Sequence, residues 1–303
     1  MIRFFLLFFS FFLFQNCSHL PNDYLGKDVA HILRAMPKRD RKHLEYFFQE
    51  LIAWDGFGYV LLGEKPMAFD TTEKNVTPFA SLSDFRYFIA PRRIKFNKGF
   101  DAWKKYEKLF SLSQFVFFYE PYRHETLIIL INKKSFIKIV QQYREDFQKA
   151  LNREINGEEL LEEGFHRALL SDVLRNHDGL IGTLLGYGRD NAFLFHQSSQ
   201  ITSEGEMTDF SEKFHFGLAW TDEEYDAFHK KFESVSWISK YITGSHLKNL
   251  ELMALPGFAA VFDSPETQAL RKHYLETKNK IIEFYKDKDF LETTLRLLTS
   301  QSG

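Results

Sequence analysis

The segment from residue 176 to 196, NHDGLIGTLLGYGRDNAFLFH, places side chains that can do chemistry among four glycines. His177 and Asp178 stand near its start, and Arg189 and Asp190 follow its last glycine. Imidazole titrates near neutral pH, and a guanidinium group pairs with anions. One interpretation is a ligand site in which glycine lets the backbone approach the ligand, His177 acts as an acid or base, and Arg189 binds an anion.

A second interpretation of this segment is structural. Gly186 or Gly188 ends one helix as a C-cap, and Asp178 or Asp190 lies near the start of a following helix. The segment has no spacing typical of a catalytic motif, which favours the structural interpretation. We therefore assign no catalytic residue and keep four candidates: His177, Asp178, Arg189 and Asp190.

Metal and cofactor motifs are absent from the sequence. Its eleven histidines are scattered, with no HExxH motif and no pair spaced by four residues. It contains no P-loop, no G-x-S-x-G and no G-x-G-x-x-G preceded by a strand. Cys17 is the one cysteine, so an internal disulfide is excluded. We predict neither a metal site nor a cofactor.

The N-terminus has the pattern of an export signal. Arg3 precedes an apolar run at residues 4–14, which contains one polar residue, Ser10. A spanning helix needs about 20 apolar residues, so this run has the length of a secretory signal rather than of a membrane span. Cys17 lies just after the run, where a thiol can receive a lipid. The sequence predicts a signal peptide over 1–16, a tether over 17–26 and a single globular domain over 27–303.

Residues 14–17, Phe-Gln-Asn-Cys, resemble the lipobox of bacterial lipoproteins. The resemblance implies that Cys17 becomes the lipidated first residue of a mature protein anchored in the bacterial cell envelope. Phe14, Gln15 and Asn16 depart from the usual leucine and small residues. The alternatives are an ordinary signal peptide and an uncleaved hydrophobic anchor.

Composition and charge indicate a folded protein without a general affinity for polyanions. The chain has 303 residues, is 44% hydrophobic and 26% charged, and carries a formal net charge of −2. This composition is far from that of a disordered chain, and the net charge does not favour nucleic acid as a partner. Two local basic clusters stand out: Lys38, Arg39, Arg41, Lys42, His43 and Arg92, Arg93, Lys95, Lys98. The first could lie against anionic lipid, or both could be solvated surface.

The elements that must position these side chains are mostly helices. Apolar residues at helical spacing predict helices at 40–54 with Asp40 as N-cap, 100–110, 133–151, 158–173, from Asp178 onward, 221–235 after a Thr221 capping box, 265–285 and 289–298. Two apolar runs, 114–120 and 125–132, predict a β-hairpin. Residues 57–63 fit a short strand or a helix, and residues 63–84 are predicted to be loop. We therefore expect a mainly α fold with a minor β-hairpin (α+β).

Three segments of the body resemble uncharacterised exported proteins of chlamydia-like bacteria. These are LLGEKPMAF (61–69), GLIGTLLGYGRDNAFLF (179–195) and LPGFAAVFDSPETQALRKHY (255–274). The resemblance implies export and carries no activity with it. We expect a lipid-anchored envelope protein with a non-catalytic role, binding another envelope protein or the envelope itself. One alternative is an exported hydrolase or small-ligand enzyme that uses residues 176–191. Another is a soluble ligand-binding module, which would need a large closed apolar cavity lined by Phe.

Overall fold

The computed structural model describes residues 28–73, 86–123, 125–203, 215–216, 250, 253, 255–261 and 263–299. The fold is mainly α-helical with a small antiparallel sheet, as predicted. The helices are α1 (Val29–Ala35), α2 (Lys38–Ala53), α3 (Phe57–Leu62), α4 (Arg86–Tyr106), α5 (Lys133–Gln142), α6 (Arg144–Leu151), α7 (Gly157–His166), α8 (Asp178–Leu184), α9 (Arg189–Ser203), α10 (Pro265–Tyr285) and α11 (Phe290–Thr299). The strands are β1 (Met67–Glu73), β2 (Phe115–Tyr122), β3 (Glu125–Asn132), β4 (His215–Phe216) and β5 (Ala259–Ala260). No helix within these ranges is both long and apolar enough to span a membrane.

The main sheet has the strand order β1-β3-β2, and both pairs are antiparallel. The β2–β3 hairpin confirms the prediction from the two apolar runs. The predicted loop over residues 63–84 holds for residues 63–66 and is wrong over Met67–Glu73, which form β1 and pair with residues 125–131 of β3; residues 74–84 lie outside the described residues. β1 has few apolar residues, and its strand conformation depends on hydrogen bonds to β3 that the local pattern does not reveal.

The sheet separates two hydrophobic cores. On β3, Ile128 and Leu130 point into the first core, whereas Ile129 and Ile131 point into the second. This follows from the two-residue period of a strand. Residues of α1–α4, α10 and α11 complete the first core, and residues of α5–α8 complete the second. β3 is therefore covered on both faces, which explains its continuous apolar run.

Three predicted helix boundaries needed tertiary information. The N-cap of α2 is Pro37, not Asp40, whose carboxylate lies in the first turn and accepts hydrogen bonds from Tyr106 (2.6 Å) and Lys105 (3.0 Å). Helix α4 starts at Arg86 rather than residue 100, and from Phe96 onward it packs against α2, where Gly99 permits a close approach. The helix predicted over 133–151 is interrupted at Tyr143, which separates α5 from α6.

The remaining helix predictions differ in outcome. The helix predicted over 158–173 ends at His166 and is followed by a π-helical turn, Leu169–Val173. Buried Glu120 of β2 accepts hydrogen bonds from the amides of this turn, and burial raises its pKa.

Residues 57–62 are helical, and the α10 prediction is confirmed, with the Ser264 hydroxyl accepting from the Thr267 amide at 3.1 Å. The predicted Thr221 capping box lies outside the described residues.

Candidate functional site

The glycine-rich segment forms the corner between α8 and α9. His177 is the N-cap of α8, and its Nδ1 accepts a hydrogen bond from the Leu180 amide at 3.3 Å. After α8 the chain turns through Gly186 (φ +73°) and Gly188 (φ +86°) before α9 begins at Arg189. Both φ values lie in the left-handed region, where glycine is strongly favoured. These glycines therefore have the backbone role that the structural interpretation predicts.

Arg189 is engaged in a bidentate ion pair that links α9 to α6. Its Nε lies 2.9 Å from Asp146 Oδ2, and a terminal nitrogen lies 2.8 Å from Oδ1. The guanidinium also contacts Asp190 at 3.0 Å and lies 5.0 Å from the centre of the Phe193 ring. The hydrogen bond from Arg189 lowers the pKa of Asp146. Arg189 is thus held by two carboxylates and one aromatic ring, and an incoming anion would compete with Asp146.

Asp190 lies in the first turn of α9, as the structural interpretation predicts for this position. Its backbone amide donates to the carboxylate of Glu266, at 3.1 Å to the nearer oxygen, and the Asn191 amide donates to the same carboxylate at 3.2 Å. Glu266, from the start of α10, is therefore a tertiary cap for α9. The Asp190 side chain itself is exposed and pairs with Arg189.

His177 and Asp178 meet a second pair of polar residues on α9. The rings of His177 and His196 stack with centroids 3.9 Å apart. Asp178 Oδ2 accepts a hydrogen bond from Ser199 Oγ at 3.0 Å and lies 3.7 Å from His196 Nδ1. Burial, followed by the charge of His196, lowers the pKa of His177. The four candidates therefore divide into His177 with Asp178, and Arg189 with Asp190.

The arrangement of Ser199, Asp178 and His196 differs from a catalytic triad. In a triad the histidine lies between the hydroxyl and the carboxylate and removes the proton of the hydroxyl. Here the serine bonds directly to Asp178, and within the described residues no hydrogen bond joins Ser199 Oγ to an imidazole. This geometry holds α9 against the start of α8 and does not activate the serine.

An apolar cleft of about 510 Å³ lies between α8, α9 and residues 257–258. Its described apolar walls come from six side chains: Ile181, Leu185, Tyr187, Ala192, Phe195 and Phe258. Asp178 and Asn191 are the polar side chains among the described lining residues. The Asn191 amide group donates to the Tyr187 carbonyl oxygen and to Thr267 Oγ1. Of these two polar side chains, Asp178 is therefore the one that can hydrogen-bond to a ligand. Of the four candidates, Asp178 alone is among those lining residues.

The buried residue Lys65 was missed by the sequence analysis. It precedes β1, is 5% exposed, and its ammonium lies 5.6 Å from the centre of the Tyr187 ring. Burial lowers the pKa of Lys65 to about 8, and the charge of Asp55 opposes this shift. Tyr187 therefore contacts the cleft with one part of its surface and Lys65 with another. Nothing in the local sequence distinguishes Lys65 from a solvated loop lysine.

Within the described ranges, no three His, Cys, Asp or Glu side chains are grouped so that they could hold a metal ion. Comparison with known proteins gives no match: no family model, no curated protein and no solved structure is significantly similar to this chain.

Proposed function

We propose that the protein is a lipid-anchored protein of the bacterial cell envelope that binds an apolar ligand in the α8–α9 cleft without transforming it. The observation that carries this proposal is the cleft itself, whose volume falls within the range of about 300–1,000 Å³ that is typical of small-molecule sites. Its walls are almost entirely apolar, so burial of apolar ligand surface supplies the affinity.

The contacts of the candidate residues support binding rather than catalysis. His177 caps α8, Arg189 pairs with Asp146, and Ser199 donates to Asp178. Each of these contacts stabilises the α8–α9 corner that forms the cleft. These polar residues therefore stabilise the backbone that forms an apolar site.

The charge of the lining residues defines the ligand chemistry. Asp178 is the charged side chain among the described lining residues, and its side chain is 42% exposed. A carboxylate repels an anionic head group and accepts hydrogen bonds from hydroxyl or amine groups. We propose a ligand with an apolar body and an uncharged or cationic polar end.

The test is binding of the uncharged fluorescent probe N-phenylnaphthylamine. Phe195 lines the cleft and is 41% exposed, so Phe195→Asp adds a charge to the wall without disturbing the cores. Placing a polar group in an apolar site costs roughly 1–3 kcal/mol, so we expect the Kd to rise about tenfold or more. The matched control is Leu275→Asp on α10, at 42% exposure. Equal probe binding by the wild-type protein and Phe195→Asp would refute a ligand site in the cleft.

The lipid anchor is tested separately, by mass spectrometry of the mature protein. We expect an N-terminus at Cys17 that carries a lipid, and loss of membrane fractionation in Cys17→Ala. An unmodified N-terminus at another residue would contradict the anchor and leave the cleft proposal standing. The two parts of the proposal therefore fail independently.

A second candidate function is an exported hydrolase, favoured by one observation. Ser199 and His196 lie beside Asp178, which lines the cleft, and His196 Nδ1 is buried with no hydrogen-bond partner in the described part of the chain. Rotation of the Ser199 side chain toward an imidazole would create a nucleophile and base pair. Hydrolysis of p-nitrophenyl esters by the wild-type protein, lost in Ser199→Ala and in His196→Gln, would replace the binding proposal with this one.

A further inference from the structure

The two basic clusters of the sequence come together on one side of the molecule. Helices α2 and α4 pack antiparallel: Lys105 contacts Asp40 at 3.0 Å at one end, and Lys95 lies 5.8 Å from the centre of the Tyr46 ring at the other. The side chain of Arg92, part of the second cluster in the sequence, lies outside the described residues. Arg93 pairs with Asp70 of β1 at 3.4 Å, so it faces away from this contact.

Gly99 allows the two helices to approach closely. A Cβ at this position would lie 2.5 Å from the His43 carbonyl oxygen and 2.5 Å from Phe47 Cβ, so a larger residue would push α4 away from α2. The close approach brings Lys98 beside His43. Burial, then the charges of Arg39 and Lys98, lowers the pKa of His43. Arg39 and Lys98 therefore act on the same imidazole although they are far apart in the sequence.

The resulting basic surface consists of Lys38, Arg39, Arg41, Lys42, Lys95 and Lys98. All are exposed except Arg41, which is half-buried. None of the six forms an ion pair with a carboxylate of the described residues, whereas the nearby Asp40 is neutralised by Lys105. The other acidic residues on the two helices are Glu45, Asp101 and the buried Glu50.

Helix stability does not explain the charges on α2. Lys38, Arg39, Arg41 and Lys42 lie in its first turn and just after it, where the helix dipole disfavours positive charge. A groove of about 550 Å³ beside α1, α2 and the start of α11 extends the surface, and its charged lining residues are Arg34, Lys38, Arg41 and Lys42 with Glu45, Asp289 and Glu292. Anionic groups bound here would relieve the repulsion among these cations.

We propose that this basic surface binds the anionic head groups of the membrane to which the chain is tethered. The described residues begin at Asp28, one residue before α1, and two residues separate α1 from α2. A tether from Cys17 to Asp28 spans at most about 40 Å at roughly 3.5 Å per residue, so it holds the basic surface close to the bilayer. This orientation rests on the proposed anchor, whereas the head-group affinity does not.

The test therefore uses the chain from Ser18 to Gly303, which has no lipid site. Both hydrophobic cores are formed by residues 29–298, so this chain keeps every described core residue. We expect it to sediment with vesicles of 70% phosphatidylcholine and 30% phosphatidylglycerol and not with vesicles of pure phosphatidylcholine. We also expect it to dissociate from the anionic vesicles as the salt concentration is raised. Circular dichroism of each variant verifies the fold.

The decisive variant is Arg39→Gln/Lys98→Gln, one residue from each helix. At about 1 kcal/mol per charge near an anionic surface, we expect its partition coefficient to fall roughly 30-fold. The matched control is Lys272→Gln/Lys280→Gln on α10, which removes the same charge at two exposed positions and leaves binding unchanged. Equal losses in both variants, or equal binding to neutral vesicles, would overturn the proposal. Binding of a labelled oligonucleotide that depends on Arg39 and Lys98, without vesicle binding, would assign the surface to nucleic acid instead.

Discussion

Replacement of Gly188 by alanine tests the structural role of the α8–α9 corner. Gly188 has φ +86°, and an added Cβ would lie 2.5 Å from the Glu266 carboxylate, which caps α9. Gly188→Ala therefore strains the backbone and displaces the cap in one substitution. Gly186→Ala is expected to act in the same direction, because its Cβ would meet the hydroxyl of Tyr274, which donates to the Gly186 carbonyl at 2.8 Å.

The magnitude follows from these two effects. An L residue in the left-handed region costs roughly 1–2 kcal/mol, and loss of a helix cap costs about 1 kcal/mol. We therefore expect Gly188→Ala to lower the free energy of unfolding by roughly 2–3 kcal/mol. For a domain of this size the melting temperature falls by roughly 3–5 °C.

The assay is urea and thermal unfolding, followed by circular dichroism. Gly257→Ala is the matched control, because an added Cβ there meets no atom of the described residues within 4 Å. The double variant Gly188→Ala/Glu266→Ala lacks the carboxylate that the new Cβ would displace. Its loss in the free energy of unfolding is therefore expected to be smaller than the sum of the losses in the two single variants. A Gly188→Ala protein as stable as Gly257→Ala would refute the structural role of the corner.

Two further predictions concern the dependence of stability on pH. The pKa of Lys65 falls from 10.5 to about 8 on folding, so the unfolded chain binds more protons between these values and stability rises with pH there. We expect the free energy of unfolding to increase by about 2 kcal/mol from pH 8 to about 9.5, and we expect no such increase in Lys65→Met. A wild-type free energy that stays constant over this range in urea titrations would contradict the burial of this charge. Above this window Tyr187, whose pKa is raised to about 12, reverses the trend. In the folded protein the pKa of His177 lies below its ordinary 6.5. As the pH drops below 6.5, this histidine takes up its proton in the unfolded chain before it does so in the folded protein, so stability falls. His177→Asn keeps an N-cap side chain that does not titrate, and its acid unfolding midpoint is expected to lie at a lower pH; an unchanged midpoint contradicts this role of His177.

The sequence predicted the parts of the fold that depend on local periodicity and capping. The β2–β3 hairpin, the start of α10 at Pro265 and the turn glycines 186 and 188 all appear as expected. Each has a signal within a few residues, such as an apolar run, a Ser-Pro-Glu cap or a glycine after a helix.

Contacts between distant segments decided the rest. β1 exists because β3 offers it hydrogen bonds, and the close packing of α4 against α2 depends on Gly99. The cleft, burial of Lys65 and the merging of two basic clusters are likewise properties of packing, since their residues lie tens to more than a hundred positions apart. The types and local order of the residues were fixed by the sequence alone. Which of them share a surface was decided by the tertiary structure, because apolar burial is non-directional: the apolar period shows which face of an element is buried and does not specify the element that covers it.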